Sequence, residues 1–331
     1  ILPGTGQTTS YATGDDGDLE KGAAWPIPRF TAGTGTEADC VRDNLTGLMW
    51  VKSPDSTRRT WSDALTYANG LSHCGYGDWR LPNRKELWSL IDRSKVRPPI
   101  SNGNPFTNVQ ADFYWSSTTA IYNDPSSDAW HFNMSNGETG GGSSKAIIRY
   151  VWPVRSGQIG AVDLQKTGQT ISYATGDDGD LEKGVTWPSP RFTAGTGTEV
   201  DCATDNLTGL MWVKSPDQVI RTWQQALDNA NSLSLCGYDD WRLPNINELE
   251  SVVNLGEPNV AAWLNTQGFS NLWIGASAVY WSSTTYADNT DFAWRVGLVT
   301  GNVGADGWYK TQSWYAWPVR SLSSRVSVGA T

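Results

Sequence analysis

The chain has 331 residues, a formal net charge of −9 and a pI near 4.8, and neither half holds a basic cluster, which argues against nucleic acid or an anionic membrane surface as partner. Thirty-four Gly and 19 Trp against 18% charged residues exclude a disordered or long-helical chain and describe a rigid, turn-rich protein with an aromatic core. No run of 18 apolar residues is present to span a bilayer.

Residues 6–89 recur at 168–251 without a gap, identical at 64 of 84 positions, so the predicted elements come in pairs. The chain divides into a first copy, 1–160, and a second, 161–331. Each opens with a polar stretch, Thr8 to Gly22 or Thr170 to Gly184, and then a Trp-Pro and Pro-Arg-Phe run beginning at Trp25 or Trp187, where Gly and Pro predict extended chain and turns. A turn at Asp43 and Asn44 leads into a buried strand over Leu45 to Val51, repeated over Leu207 to Val213. Two short helices follow. Thr60 precedes the first, and in the second copy Thr222 with Gln225 has capping-box spacing; the other helix starts after Pro82 or Pro244, where Asn83 with Glu86 and Asn245 with Glu248 supply cap and third residue. From Tyr114 or Tyr280 onward the pattern is short β-type runs broken by Gly, Asn and Asp. Length changes between the copies place loops at 95–112, 120–128 and 133–148, with counterparts at 257–278, 286–292 and 297–313.

The run Asp78-Trp79-Arg80-Leu81-Pro82-Asn83 with Glu86, the stretch Tyr114 to Thr119 and the ending Tyr150 to Arg155 recur together in both copies. This set of spaced motifs resembles the Lcl C-terminal domain family over nearly all of each copy. The resemblance implies an α+β chain of two tandem C-type-lectin-like domains, each with two short helices and a short-stranded, loop-rich antiparallel sheet, similar to formylglycine-generating enzymes. It also implies secretion or surface attachment, and for related domains binding of sulfated glycans and bacterial attachment. Composition alone gives a mixed α+β module with late strands.

Duplication tests each candidate site, because a feature that serves both copies must occur twice. Cys40 and Cys74 recur as Cys202 and Cys236, each pair 34 positions apart, without CxxC spacing or a shared His; they read as two disulfides and so as an oxidising compartment. Asp15, Asp16, Asp18 and Glu20 recur as Asp177, Asp178, Asp180 and Glu182, clustered oxygens about a Gly-bent turn that could hold calcium, or a solvated Asp-rich turn. His73 and His131 align with Leu235 and Arg295, so no His-based site is shared, and no Cys follows Cys74 or Cys236 to act as the late reactive pair of the enzymes the module resembles. Glu86 and Glu248 are explained as helix caps. Seven Trp of the first copy recur and read as core, whereas Trp263, Trp273, Trp308 and Trp314 do not, and stand as candidate contacts for a ligand or as local packing.

Three functions remain open. First is a non-catalytic extracellular binding or adhesion protein that offers lectin-like loops to a surface glycan or protein. Second is a subunit that assembles head to tail into a fibre, repeating between chains the contact its copies make within one, with Ile1, Leu2 and the tail from Ser321, including Val326 and Val328, as strands lent to a neighbour. Third is an enzyme. A start at Ile1 fits a secreted product whose signal peptide has been removed.

Overall fold

The computed structural model describes residues 1–276 and 278–322; Val326 and Val328 lie outside the described residues. Two α+β domains stand in tandem. The first contains α1 (Asp16–Leu19), β1 (Phe30–Ala32), β2 (Cys40–Asp43), β3 (Met49–Val51), α2 (Trp61–Asn69), α3 (Arg84–Ser89), β4 (Phe113–Thr119), β5 (Asp128–Asn133), β6 (Thr139–Ser144) and β7 (Val154–Arg155). The second contains α4 (Asp178–Leu181), β8 (Phe192–Ala194), β9 (Cys202–Asp205), β10 (Leu210–Val213), α5 (Trp223–Asn231), α6 (Ile246–Ser251), an added α7 (Val260–Thr266), β11 (Val279–Thr285), β12 (Ala293–Gly297), β13 (Asn302–Gly304) and β14 (Val319–Ser321). Each domain has one antiparallel sheet of four strands, β1-β2-β3-β7 or β8-β9-β10-β14, and one of three, β4-β5-β6 or β11-β12-β13.

Side chains fix the helix starts. Asn83 accepts from the Glu86 amide at 3.0 Å while the Glu86 carboxylate accepts from the Asn83 amide at 2.9 Å, and Asn245 with Glu248 does the same. The expected box at Thr222 and Gln225 is present; Thr60 caps α2 alone.

The expected strands and loops are corrected in five places, one being the strand expected from Leu207, which starts at Leu210. The strand predicted from Leu45 starts at Met49, because Asp43 accepts from the Leu45 amide and the Thr46 hydroxyl and holds a turn that Gly47 completes at φ +73°. Two predicted loops, 133–148 and 297–313, contain β6 and β13. The Gly run of β6 hid its strand, yet it is what the packing demands: a Cβ on Gly140 would lie 2.2 Å from the His131 ring, and one on Gly141 2.8 Å from Trp130. The predicted loop 257–278 contains α7, capped by Asn259.

Ten of the repeated Trp, among them Trp50, Trp115, Trp152 and their partners Trp212, Trp281 and Trp317, are fully buried. Trp25 and Trp187 depart from the expected core: each is half-buried, with the guanidinium of Arg29 or Arg191 about 4 Å from its ring centre.

The opening segment of each copy crosses to the other copy. Gln7 exchanges hydrogen bonds with the backbone of Thr285, and Gln169 does so with Thr119. Helix α1 lies on β11 and α4 lies on β4. Between these crossings α3 meets α6: the Lys85 ammonium reaches the Glu250 carboxylate at 2.8 Å, the Trp88 indole N–H donates to Asn247 at 2.9 Å, and Arg84 donates to the Gly301 carbonyl at 2.6 Å.

Candidate functional site

Both expected disulfides are formed, Cys40 to Cys74 and Cys202 to Cys236. Each ties the start of the second strand of its sheet to the loop after the first long helix. Cys40, His73 and Cys74 have possible ligand atoms within 4.8 Å of one another, but the two sulfurs are bonded together and the His73 ring contacts the Asp39 carbonyl at 3.1 Å. His131 is enclosed, and burial pulls its imidazole down to about 3, so it stays neutral.

The duplicated acidic turn is divided among separate tasks. Asp15 caps α1, accepting from the amides of Tyr11, Ala12 and Asp18, and Asp18 accepts from Gly14. Glu20 sits at the left-handed end of the helix, and its counterpart Glu182 pairs with Lys166 at 2.9 Å. Asp177 and Asp180 repeat the first two roles. Among the described residues, no three of these carboxylates bring oxygens within 4.8 Å of one another. Asp16 and Asp178 turn inward: Asp16 accepts from the hydroxyls of Thr5 and Thr284, and Asp178 from those of Thr167 and Thr118, each at 2.7 Å. One Thr of each pair comes from each copy, so the carboxyl bonds the crossing segment to its seat. Burial pushes both carboxyls up to about 7, against the pull of the hydroxyls.

The four unpaired Trp occupy unlike places. Trp263 is half-buried on α7, its ring 5.8 Å from Trp187 and 6.1 Å from Phe192. Trp308 lies under the Arg295 guanidinium at 3.4 Å and meets Trp314 edge-on at 5.2 Å. Only Trp273 of the four faces solvent, 40% exposed. Its amide donates to the Tyr280 hydroxyl at 3.1 Å, and Asn271 beside it accepts from Gln218 and donates to Ser215. These bonds hold the 215–220 loop against the 271–274 loop, and both carry exposed apolar side chains: Val219, Ile220, Trp273 and Ile274.

The first copy puts an ion pair at the same corner, beside the exposed Phe113. Gln110 donates its amide to the Tyr114 hydroxyl at 2.8 Å, as Trp273 does to Tyr280. Thr57 and Arg58 stand where Val219 and Ile220 stand, and Arg58 pairs with Asp112. The sequence carried a signal for this rim, since Ser56-Thr57-Arg58 against Gln218-Val219-Ile220 is the longest unbroken difference in the ungapped alignment.

Glu86 and Glu248 are held by Arg80 and Arg242 at 2.6 Å as well as by their caps. Beside Arg80 and Glu86 lies an open cleft of about 250 Å³ that the linker residues Ser156 to Gln158 help to wall. No helix among the described residues is long and apolar enough to cross a membrane.

The family model of the Lcl C-terminal domain matches residues 39–155 and again residues 201–320. The chain belongs to the Lcl C-terminal domain family. Each Lcl match begins one residue before the disulfide cysteine of its domain and leaves out the crossing segment, so the matched part is the body that receives a segment. No curated protein matches the chain.

Proposed function

We propose that this is a non-catalytic, secreted or surface-attached contact protein whose second domain binds a surface glycan or protein through the rim of Val219, Ile220, Trp273 and Ile274. The observation that carries the reading is that one scaffold presents an apolar corner in one copy and an ion-paired corner in the other, at matching positions. A single exposed apolar residue is unremarkable on a protein surface, but four on two loops tied together by hydrogen bonds make a patch suited to contact. Two disulfides fit an extracellular setting. The two duplicated carboxylates that could serve as general acids are each paired with an Arg and a backbone amide, which favours contact over turnover.

The fibre reading is less favoured in the form the sequence suggested. The contact between the copies is reciprocal and occupied within one chain, which weighs against the same surfaces repeating from chain to chain. A glycan array and a cell-surface binding assay test the proposal: Trp273→Ala combined with Ile220→Ser should lower binding at least tenfold, and Arg58→Ser should leave it unchanged. Equal binding by all three proteins, or no binding by the native chain, removes the rim from the function.

A further inference from the structure

The turn Asp43-Asn44-Leu45-Thr46-Gly47-Leu48 recurs letter for letter as Asp205-Asn206-Leu207-Thr208-Gly209-Leu210, yet the two are not in the same state. On the first domain the linker 156–162 lies along the turn. Ala161 donates its amide to the Asn44 carbonyl at 3.3 Å and Val162 to the Leu45 carbonyl at 2.9 Å. A Cβ on Gly47 would lie 1.8 Å from the Gln158 carbonyl oxygen, so only glycine admits the linker at this distance. Leu45 and Val162 are both buried there.

On the second domain no described residue lies along the matching surface. Among the described residues nothing comes within 4 Å of the Cβ position of Gly209, Asn206 is exposed and Leu207 is half-buried. Among the described residues no N–H donates to the carbonyl of Asn206 or Leu207. A cavity of about 130 Å³ adjoins the turn, with Leu2, Val185, Leu207 and Thr208 in its wall. Two backbone acceptors, an apolar slot and a glycine that leaves room for a passing chain are present twice and, among the described residues, filled once.

We propose that this groove is a docking site for an extended segment, and that its occupant is this chain's own residues 323–331. The chain leaves both four-stranded sheets in the same way, through Arg155-Ser156 and Arg320-Ser321. Leu322, the last described residue, donates its amide to the Gly209 carbonyl at 3.2 Å, which brings the chain to the turn. The linker covers its turn with 157–162, where Gly157 and Gly160 press on the turn backbone; the tail has Leu322 and Arg325 at the matching positions, and its nine residues 323–331 at about 3.3 Å each are long enough to span the same surface at a greater distance from the backbone. Val326 and Val328 supply the apolar side chain that Val162 supplies in the filled groove. Filled in this way, the groove of one molecule is closed to a segment from another.

Cross-linking in the full chain tests the assignment. Thr208→Cys is combined in turn with Ser324→Cys, Val326→Cys and Val328→Cys, under mild oxidation, with near-ultraviolet circular dichroism to confirm the fold. At least one pair should close within a monomer, seen as a faster band on a non-reducing gel. In a second arm, a chain ending at Leu322 should bind a fluorescent peptide of residues 323–331 saturably, the full chain should bind it at least tenfold less, and Leu207→Asp should abolish binding to the shortened chain. Disulfide-linked dimers or ladders in the first arm would give the groove to a second copy and overturn the assignment. Failure of every pair, together with no peptide uptake, would overturn it as well.

Discussion

Asp16 and Asp178 show how a single atom type takes its role from its surroundings. In the sequence they are members of an acidic cluster with the composition of a hard-cation site, and only the tertiary structure separates the two that point inward from the six that cap, pair or face water. Their buried carboxyls titrate near 7 in the folded chain and near 3.8 in the unfolded one. An acid raised by folding favours the fold most when protonated. Its contribution is therefore complete below about 4, declines as pH rises toward 7, and is lost above that. The thermal midpoint should fall by several degrees between pH 5 and pH 8, and the double variant Asp16→Asn with Asp178→Asn should flatten that profile. An unchanged slope in the double variant would assign the pH dependence elsewhere. The sulfurs make a simpler case: replacing Cys40 and Cys74 by Ala should destabilise the fold by about 3 to 4 kcal/mol, as expected for releasing a loop of this length, measured by denaturant unfolding.

The pairing of α3 with α6 explains why the copies differ where they do. Arg84, Lys85 and Trp88 are replaced by Ile246, Asn247 and Glu250, and these are the side chains that face one another across the reciprocal contact. Two identical helices would set Lys85 against Trp88, or Glu250 against Asn247, with a buried charge left unpaired. Divergence here is complementarity between the copies. Glu250 faces both Lys85 at 2.8 Å and Arg84 at 3.7 Å, in a setting where burial has already pulled Lys85 down to about 8. Glu250→Gln should lower stability by about 3 to 5 kcal/mol because it leaves buried cations without a counter-ion. Adding Lys85→Met should restore part of that loss, and a double variant no more stable than the single one would show that the pair is not coupled. The helices themselves were legible because their caps are local: Asn83 and Glu86 lie within one turn. Strand β6 was not, since its glycines answer to rings on the neighbouring strand and no local pattern records that. The exposed rim was half legible, in that Trp273 was singled out together with three tryptophans that pack on Arg295, Trp187 and one another.

At the scale of the molecule, the repeat in the sequence and the unit in space do not share boundaries. The repeat changes copy near residue 160, but each opening segment bonds both bodies: Gln169 seats on the body at 27–155 and Gln7 on the body at 189–320, while Thr5 and Thr167 accept from Arg93 and Leu255 of their own copies. Sequence identity between the copies conceals this, because either segment fits either body by the same residues: Gln7 or Gln169, Asp16 or Asp178. The crossing also has an order. Residues 163–188 are joined to the body they complete by a short linker and return to it quickly if released, whereas residues 1–26 are tethered only through the other domain. Removal of residues 1–26 should therefore act at a distance in sequence. Hydrogen exchange should quicken at the amides of Val279 to Thr285, whose seat loses Gln7 and Asp16, while Phe113 to Thr119 in the domain that lost the residues should keep its protection, still covered by Gln169 and Asp178. Faster exchange in the first domain alone would mean that each opening segment stabilises the body it precedes, and that the crossing contacts contribute little.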